Sequence, residues 1–293
     1  MSDVDFVTLD VFTAARFEGN PLLVVPEARG LSAAEMQLVA REINYSESTF
    51  VLPPSDPANA YLQRTFVPVK EIPYAGHPTV GTAFAMAERG AFGPLDDGVH
   101  VRRVEVGFGP IALEIHVAGG AVTRVRMEQG APRWEAPLDG AEHERIARAL
   151  GAGAHGALPG QVVSTGNRFL MLPVGDVAEL SRARLDTRTI AEVSEAHDVL
   201  GIYLFARDGA DVRARCFCPD AGVPEDPATG SAAGPLGIYL ALHDALPAPS
   251  FVVHQGIEMG RRSRIDVDVT REPLGVRVAG SAVPVMRGTL RVR

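Results

Sequence analysis

Two cysteines in 293 residues are too few for a disulfide framework. Both sit in Arg215-Cys216-Phe217-Cys218, which reads as a strand whose period-two alternation sets the two thiols on one face. A metal site there needs further ligands, and the neighbouring sequence offers none. Positive charge is also scarce: 28 Lys and Arg against 36 Asp and Glu leave a formal net charge of -8, which argues against a nucleic-acid partner. An anionic ligand must then be held by local dipoles or a few arginines. Long apolar runs are missing, since no window reaches the roughly 18 uncharged residues that a membrane span requires. The residues Met1-Ser2-Asp3-Val4-Asp5 lack a basic stretch followed by an apolar one, so no secretory signal is expected and a cytoplasmic location is. What remains is 46% hydrophobic and 22% charged, the balance of a globular protein with room for two domains of about 150 residues each.

The chain repeats itself. Arg64-Thr65-Phe66-Val67-Pro68 matches Arg215-Cys216-Phe217-Cys218-Pro219. Downstream, His77-Pro78-Thr79-Val80-Gly81 lines up with Asp226-Pro227-Ala228-Thr229-Gly230, and upstream Gly19-Asn20 with its apolar run echoes Gly166-Asn167 with its own. Each match alone is weak, but three in the same order, offset by about half the chain, indicate a duplication.

Within the first unit, Val4 to Phe12 and Leu22 to Val25 read as strands joined through the Gly19-Asn20-Pro21 turn. Ser32-Ala33-Ala34-Glu35 is a capping box that opens a helix with Met36, Val39, Ala40 and Ile43 on one face. Strands follow at Thr49 to Leu52 and Tyr61 to Val67, then a helix from Pro78 to about Glu88. That helix is uncharged from Thr79 to Ala87, so it is apolar all round, too short for a membrane, and suited to a protein interior. Its counterpart is uncharged from Pro227 through Leu242, although Gly230, Gly234, Gly237 and Pro235 disfavour a helix. Small residues make sense there if strands approach the helix axis closely. The expected fold is therefore α+β, with two pseudo-symmetric halves, each a mostly antiparallel, barrel-like sheet wrapped around a central helix. The halves are expected at residues 1–128 and 129–293, with the last strand able to pair back onto the first. Gln129 to Pro137, carrying two prolines and Trp134, reads as the linker.

Candidate chemistry lies where the central helices begin. A proline at the first helical position would make His77 and Asp226 the N-caps. Two helix starts, each with unpaired N–H groups and partial positive charge, would suit a carboxylate or an enolate-like transition state at the seam between the halves. Asp226 is equally well explained as a plain cap, whereas histidine is a poorer one. Glu47 falls at a helix-to-strand joint, where loops often carry function. Asn44 and Ser46 suit that turn, and Tyr45, Ser46 and Ser48 are placed to hydrogen-bond the carboxylate. As a lone loop glutamate it also reads as a solvated surface charge. Other chemistries fall away. Gly230-Ser231-Ala232-Ala233-Gly234 has its serine in the wrong place for a nucleophile elbow. No phosphate loop is present, and Gly107-Phe108-Gly109 lies between strands rather than before a helix. Arg261-Arg262-Ser263-Arg264 is too short a basic run to argue for nucleic acid. No cofactor is implied.

Taken together, Gly19-Asn20-Pro21, Glu42-Ile43-Asn44-Tyr45-Ser46-Glu47-Ser48, Phe66-Val67-Pro68, Ala75-Gly76-His77-Pro78-Thr79-Val80-Gly81, Glu225-Asp226-Pro227-Ala228-Thr229-Gly230-Ser231-Ala232 and Gln255-Gly256 followed by Met259-Gly260-Arg261 resemble the PhzF family, named for an isomerase of phenazine biosynthesis. The motifs run in order across essentially the whole chain. The resemblance implies a fold like that of diaminopimelate epimerase, a homodimer, no cofactor, and a proton shift on a small carboxylate-bearing substrate. Glu47 matches the acid/base, and its pKa is expected to be raised by burial. His77 and Asp226 match residues that bind and polarise the substrate. Gly76, Gly230 and Ser231 match the helix-start groups that hold its carboxylate, and Ser46 joins the substrate-binding set. The epimerase relatives carry a catalytic cysteine at each helix start, where this chain has His77 and Asp226, so two-thiol racemisation is not expected. Glu47 has no carboxylate counterpart at Ile202 or Tyr203, which favours a one-glutamate shuttle. A non-catalytic protein that keeps the pocket to bind a carboxylate metabolite is the alternative.

Overall fold

In a computed structural model describing residues 2–73 and 76–292, the protein is α+β and divides into two compact units, Met1–Glu128 with Ala279–Arg293, and Gln129–Val278.

In the first unit, β1 (Ser2–Val11) and β2 (Asn20–Val25) form an antiparallel pair. Helix α1 (Ala33–Ile43) crosses over to β3 (Glu47–Leu52), which lies parallel to β2. β4 (Leu62–Phe66) turns back antiparallel to β3, and the short β5 (Glu71–Ile72) pairs with β4. Helix α2 (Gly76–Glu88) follows, then the meander β6 (Gly98–Val106), β7 (Gly109–Ala118) and β8 (Ala121–Glu128). The chain's last strand, Ala282–Val292, pairs antiparallel with β1.

The capping box forms as expected. The Glu35 amide donates to Ser32 Oγ at 3.3 Å, and the Ser32 amide donates to Glu35 Oε2 at 2.8 Å. The helix packs Met36, Val39 and Ala40 onto Leu23, Val25, Phe50 and Phe66, the last two rings meeting edge-on at 5.4 Å. Asn44 closes α1 in the left-handed region, φ 56, where asparagine is among the few tolerated residues. That reversal delivers the chain to Glu47 three residues later.

The second unit opens with β9 (Arg133–Trp134) and α3 (Gly140–Ala149). β10 (Gln161–Ser164) and β11 (Arg168–Pro173) are antiparallel. Helices α4 (Val177–Arg182) and α5 (Thr187–His197) cross over to β12 (Gly201–Asp208), parallel to β11. β13 (Asp211–Cys218) returns antiparallel, and β14 (Val223–Asp226) pairs with it. Helix α6 (Gly230–Leu242), β15 (Ser250–Gln255), β16 (Ser263–Arg271) and β17 (Leu274–Gly280) complete the unit, before the last strand, β18. The order of pairings thus repeats: antiparallel pair, helical crossover, parallel strand, antiparallel return, short strand, buried helix. In each unit the strand after that helix lies parallel to the return strand, β6 to β4 and β15 to β13.

Helix α2 is buried from Gly76 to Met86 and α6 from Gly230 to Ala241. Their small residues allow close approach. A Cβ on Gly81 would lie 2.6 Å from Val11 and Leu22 side chains, and one on Gly237 would lie 2.9 Å from Val267 and Val269. Gly234 leaves room for the Gln129 amide, whose Nε2 donates to the Gly230 carbonyl at 2.9 Å and whose Oε1 accepts from Thr165 Oγ1. Gln129 to Pro137 is therefore no linker. Gln129 is buried in the second unit, and Trp134 pairs with Val163 of β10. No helix among the described residues is long and apolar enough to cross a membrane.

Candidate active site

Glu47 is the first residue of β3, opposite Leu22 of β2. Its Oε2 lies 2.9 Å from His77 Nδ1. His77 is only 3% exposed. Asn20 Nδ2 reaches the same ring nitrogen at 3.3 Å, and Ser46 Oγ donates to Asn20 Oδ1 at 2.9 Å, which fixes the Asn20 amide with its NH₂ toward the ring. Across the ring, His77 Nε2 is buried and has no hydrogen-bond partner among the described residues. A ring nitrogen in that position, behind a carboxylate on the other side of the ring, can serve a ligand atom. The first unit thus brings Ser46, Glu47 and His77 together, with Gly76 the first residue of the same helical turn.

His77 does not cap α2. It is the second residue of the helix and Pro78 the third. Proline is tolerated through the first turn because those N–H groups have no intrahelical acceptor, so it marks the turn without marking the cap.

In the second unit Asp226 is likewise not an N-cap. It ends β14, held opposite Cys216 of β13, and the N-cap of α6 is Thr229. Pro227 precedes the helix rather than opening it. Thr229 Oγ1 donates to Asp226 Oδ2 at 2.5 Å. Gln255 Nε2 donates to the Asp226 carbonyl at 2.7 Å and to Thr229 Oγ1 at 2.9 Å. Its Oε1 accepts from Tyr203 Oη at 2.8 Å and from the Thr229 amide at 3.2 Å. Gly230 and Ser231 are the first two residues of α6, both buried.

One device anchors the approach to both sites. Arg64 grips Glu71 through Nε and Nη2 at 2.7 and 2.6 Å, and Arg215 grips Glu225 the same way at 2.8 and 2.9 Å. Each guanidinium also lies over the phenylalanine two residues on, Phe66 at 5.3 Å and Phe217 at 5.0 Å. This explains why the Arg-x-Phe pattern recurs in the sequence.

The register corrects the counterpart of Glu47. Leu22 faces Glu47 and Phe169 faces Gly201 across the parallel pairs. Phe50 faces Arg64 and Leu204 faces Arg215 across the antiparallel ones. Both count to Gly201, not Ile202 or Tyr203. A Cβ there would stand 2.5 Å from Cys218 Sγ and closer still to the Phe217 carbonyl oxygen. The second unit has no room for any side chain where the first carries its carboxylate.

Cys216 and Cys218 do share a face of one strand, with sulfurs 3.5 Å apart, both buried thiols. Asn20, Tyr203, Thr229 and Gln255 were not among the expected site residues. The only sequence hints were Gly19-Asn20 and Gln255-Gly256, pairs in which a glycine precedes or follows a long amide side chain at a strand end.

A family model described as PhzC-PhzF, phenazine biosynthesis-like protein, matches residues 9–288. A trans-2,3-dihydro-3-hydroxyanthranilate isomerase of Pseudomonas chlororaphis is 39% identical over 294 residues, covering 97% of this chain and 98% of the relative. Among solved structures, a Bacillus anthracis phenazine biosynthesis protein of the PhzF family superposes with a TM-score of 0.85 at 28% identity, covering 99% of this chain and all of that one. A probable proline racemase from Agrobacterium radiobacter superposes with a TM-score of 0.67 at 12% identity, covering 98% of this chain and 93% of that one, a likeness of fold alone.

Proposed function

From the premise that this chain belongs to the PhzC-PhzF family of phenazine biosynthesis-like proteins and is an isomerase, we propose that it moves a proton between carbons of a small carboxylate-bearing metabolite, with Glu47 as the general acid/base. The Glu47–His77 pair, with the opposite ring nitrogen buried and unpartnered among the described residues, carries the reading. The Glu47 carboxylate takes a proton from one substrate carbon, and the electron pair left behind delocalises toward the substrate's unsaturated system. The same oxygen then returns the proton at a second carbon. Nothing is oxidised or reduced, and substrate and product are isomers.

His77 holds the base and binds the substrate. Asn20 presents an N–H to Nδ1, which suits a ring whose Nδ1 accepts and whose Nε2 carries hydrogen. The Glu47 carboxyl and the His77 ring meet at Nδ1, which leaves Nε2–H as the donor offered to a substrate oxygen. Asp226 is assigned the binding and polarising role, and Gly76, Gly230 and Ser231 the holding of a substrate carboxylate through helix-start amides. The relatives' isomerase activity favours this over a binder that has lost chemistry.

The test uses trans-2,3-dihydro-3-hydroxyanthranilate, named for the relatives' activity, in deuterated water. Wild type is expected to place deuterium at the carbon that receives the proton. Glu47→Gln is expected to lose about 10²–10⁴-fold in turnover while still binding. A Glu47→Gln variant with wild-type turnover rejects the assignment. Tight binding with neither turnover nor exchange by the wild type supports the non-catalytic alternative.

A further inference from the structure

The mechanism leaves unexplained why so much buried polar structure surrounds Asp226. Gln255 is 1% exposed and ends β15. It reaches Asp226 because Gly256, at φ 73, passes so near Pro227 that an added Cβ would lie 2.6 Å from its carbonyl oxygen. All four hydrogen-bonding positions of its amide are filled. Flipping the amide would set oxygen against the Asp226 carbonyl and NH₂ against the Thr229 N–H, so the orientation is over-determined. With Gln255 Nε2 donating to Thr229 Oγ1, the threonine's single proton is spent on Asp226 Oδ2. At the far end Tyr203 is fully buried, and burial with the nearby Cys216 and Asp226 pushes its phenol well above the usual range. It is therefore a permanent donor.

We propose that Tyr203, Gln255 and Thr229 are positioning residues, a chain of donors running one way from the tyrosine hydroxyl to Asp226 Oδ2, which holds that carboxylate ionised and in one orientation. In the first unit the equivalent position is wired differently. The register makes Thr49 the counterpart of Tyr203, and Thr49 instead bonds Thr82 and the Leu23 carbonyl. There a shorter relay, from Ser46 through the Asn20 amide, serves the His77 ring. Its value to turnover rests on Asp226 acting on the substrate as proposed above, but the positioning itself does not.

The deciding measurement is the titration of the Asp226 carboxyl carbon by NMR in aspartate-labelled full-length protein, with the signal assigned through Asp226→Asn. Tyr203 on β12 and Cys216 on β13 are titratable groups beside it, so Cys216→Ser is included as a control. Removing a hydrogen bond to a carboxylate raises its pKa. Thr229→Val is expected to move the Asp226 titration up by about one unit or more, and Thr229→Ser to restore it. Tyr203→Phe, which keeps the ring and the fold, is expected to shift it the same way by less. With turnover, the acid limb of the pH–rate profile should follow the NMR shift in Thr229→Val and return in Thr229→Ser. An Asp226 titration unchanged in both Thr229→Val and Tyr203→Phe overturns the proposal. A shifted titration beside wild-type turnover by Asp226→Asn supports the positioning and overturns the role given to Asp226.

Discussion

The asymmetry between the units can be tested at Gly201, where the second unit excludes the glutamate that the first displays. Gly201→Ala adds one methyl group whose carbon would lie 2.5 Å from Cys218 Sγ and 3.1 Å from the Phe217 carbonyl carbon, with the carbonyl oxygen nearer still. The Cys218 sulfur is buried and already lies 3.5 Å from that of Cys216. The carbonyl is main chain, held where Phe217 pairs with Ile202. Relief therefore requires β12 and β13 to part locally, and overpacking of this kind costs about 1–3 kcal/mol. With a urea dependence of about 2 kcal/mol per molar, the midpoint should fall by about 0.5–1.5 M. Trp134, the single tryptophan, lies in the second unit on β9, so its fluorescence reports this unit. Gly140→Ala is the control. It opens α3 with nothing within 4 Å of an added Cβ, and should be neutral or stabilising by up to about 1 kcal/mol. If Gly201→Ala unfolds at the midpoint of wild type or of Gly140→Ala, steric exclusion is not what empties this position.

The two arginine clamps should differ in worth despite their common geometry. Arg215 and Glu225 are 8% and 19% exposed, Arg64 and Glu71 26% and 41%. Arg215→Met, which removes a buried guanidinium from the partly buried Glu225 carboxylate, is expected to cost about 2–3 kcal/mol, and Arg64→Met no more than about 1 kcal/mol, read from urea midpoints by circular dichroism. Glu105 accepts from the Asp56 and Ser55 amides, the Asn59 amide and the Ser55 hydroxyl, and the backbone donors lead in pulling its pKa down to about 2. Because the folded value lies below the unfolded one, its contribution is present above about pH 4.5 and is lost as pH falls toward 2. The Ser55 and Asp56 amide resonances should shift over that range in wild type, and Glu105→Gln should lack that titration.

Much of the framework was legible in the sequence because it rests on local chemistry. The Ser32–Glu35 box and the turn at Asn44 depend on residues close in the chain, and the structure contains them. The apolar, glycine-spaced central helices could be read because only a buried helix tolerates such a composition. The errors came where the deciding partner is remote. Asp226 was read as a cap because aspartate caps helices well, yet pairing with Cys216 keeps it in a strand and leaves the cap to Thr229. Gln129 looked like linker because nothing near it in sequence shows Gly234 vacating space for its amide.

By itself the sequence determined that the chain is a duplication, which residues are its carboxylate and imidazole candidates, and that no second glutamate matches Glu47. Composition, periodicity and repeated motifs are properties of the chain alone. Tertiary structure decided which atoms meet: that His77 offers one ring nitrogen to Glu47, that the Gln255 amide donates to the Asp226 carbonyl, and that Gly201 stands where Glu47 has its equivalent. Those outcomes depend on strand register and close backbone approach, in which a shift of one residue turns every side chain to the opposite face.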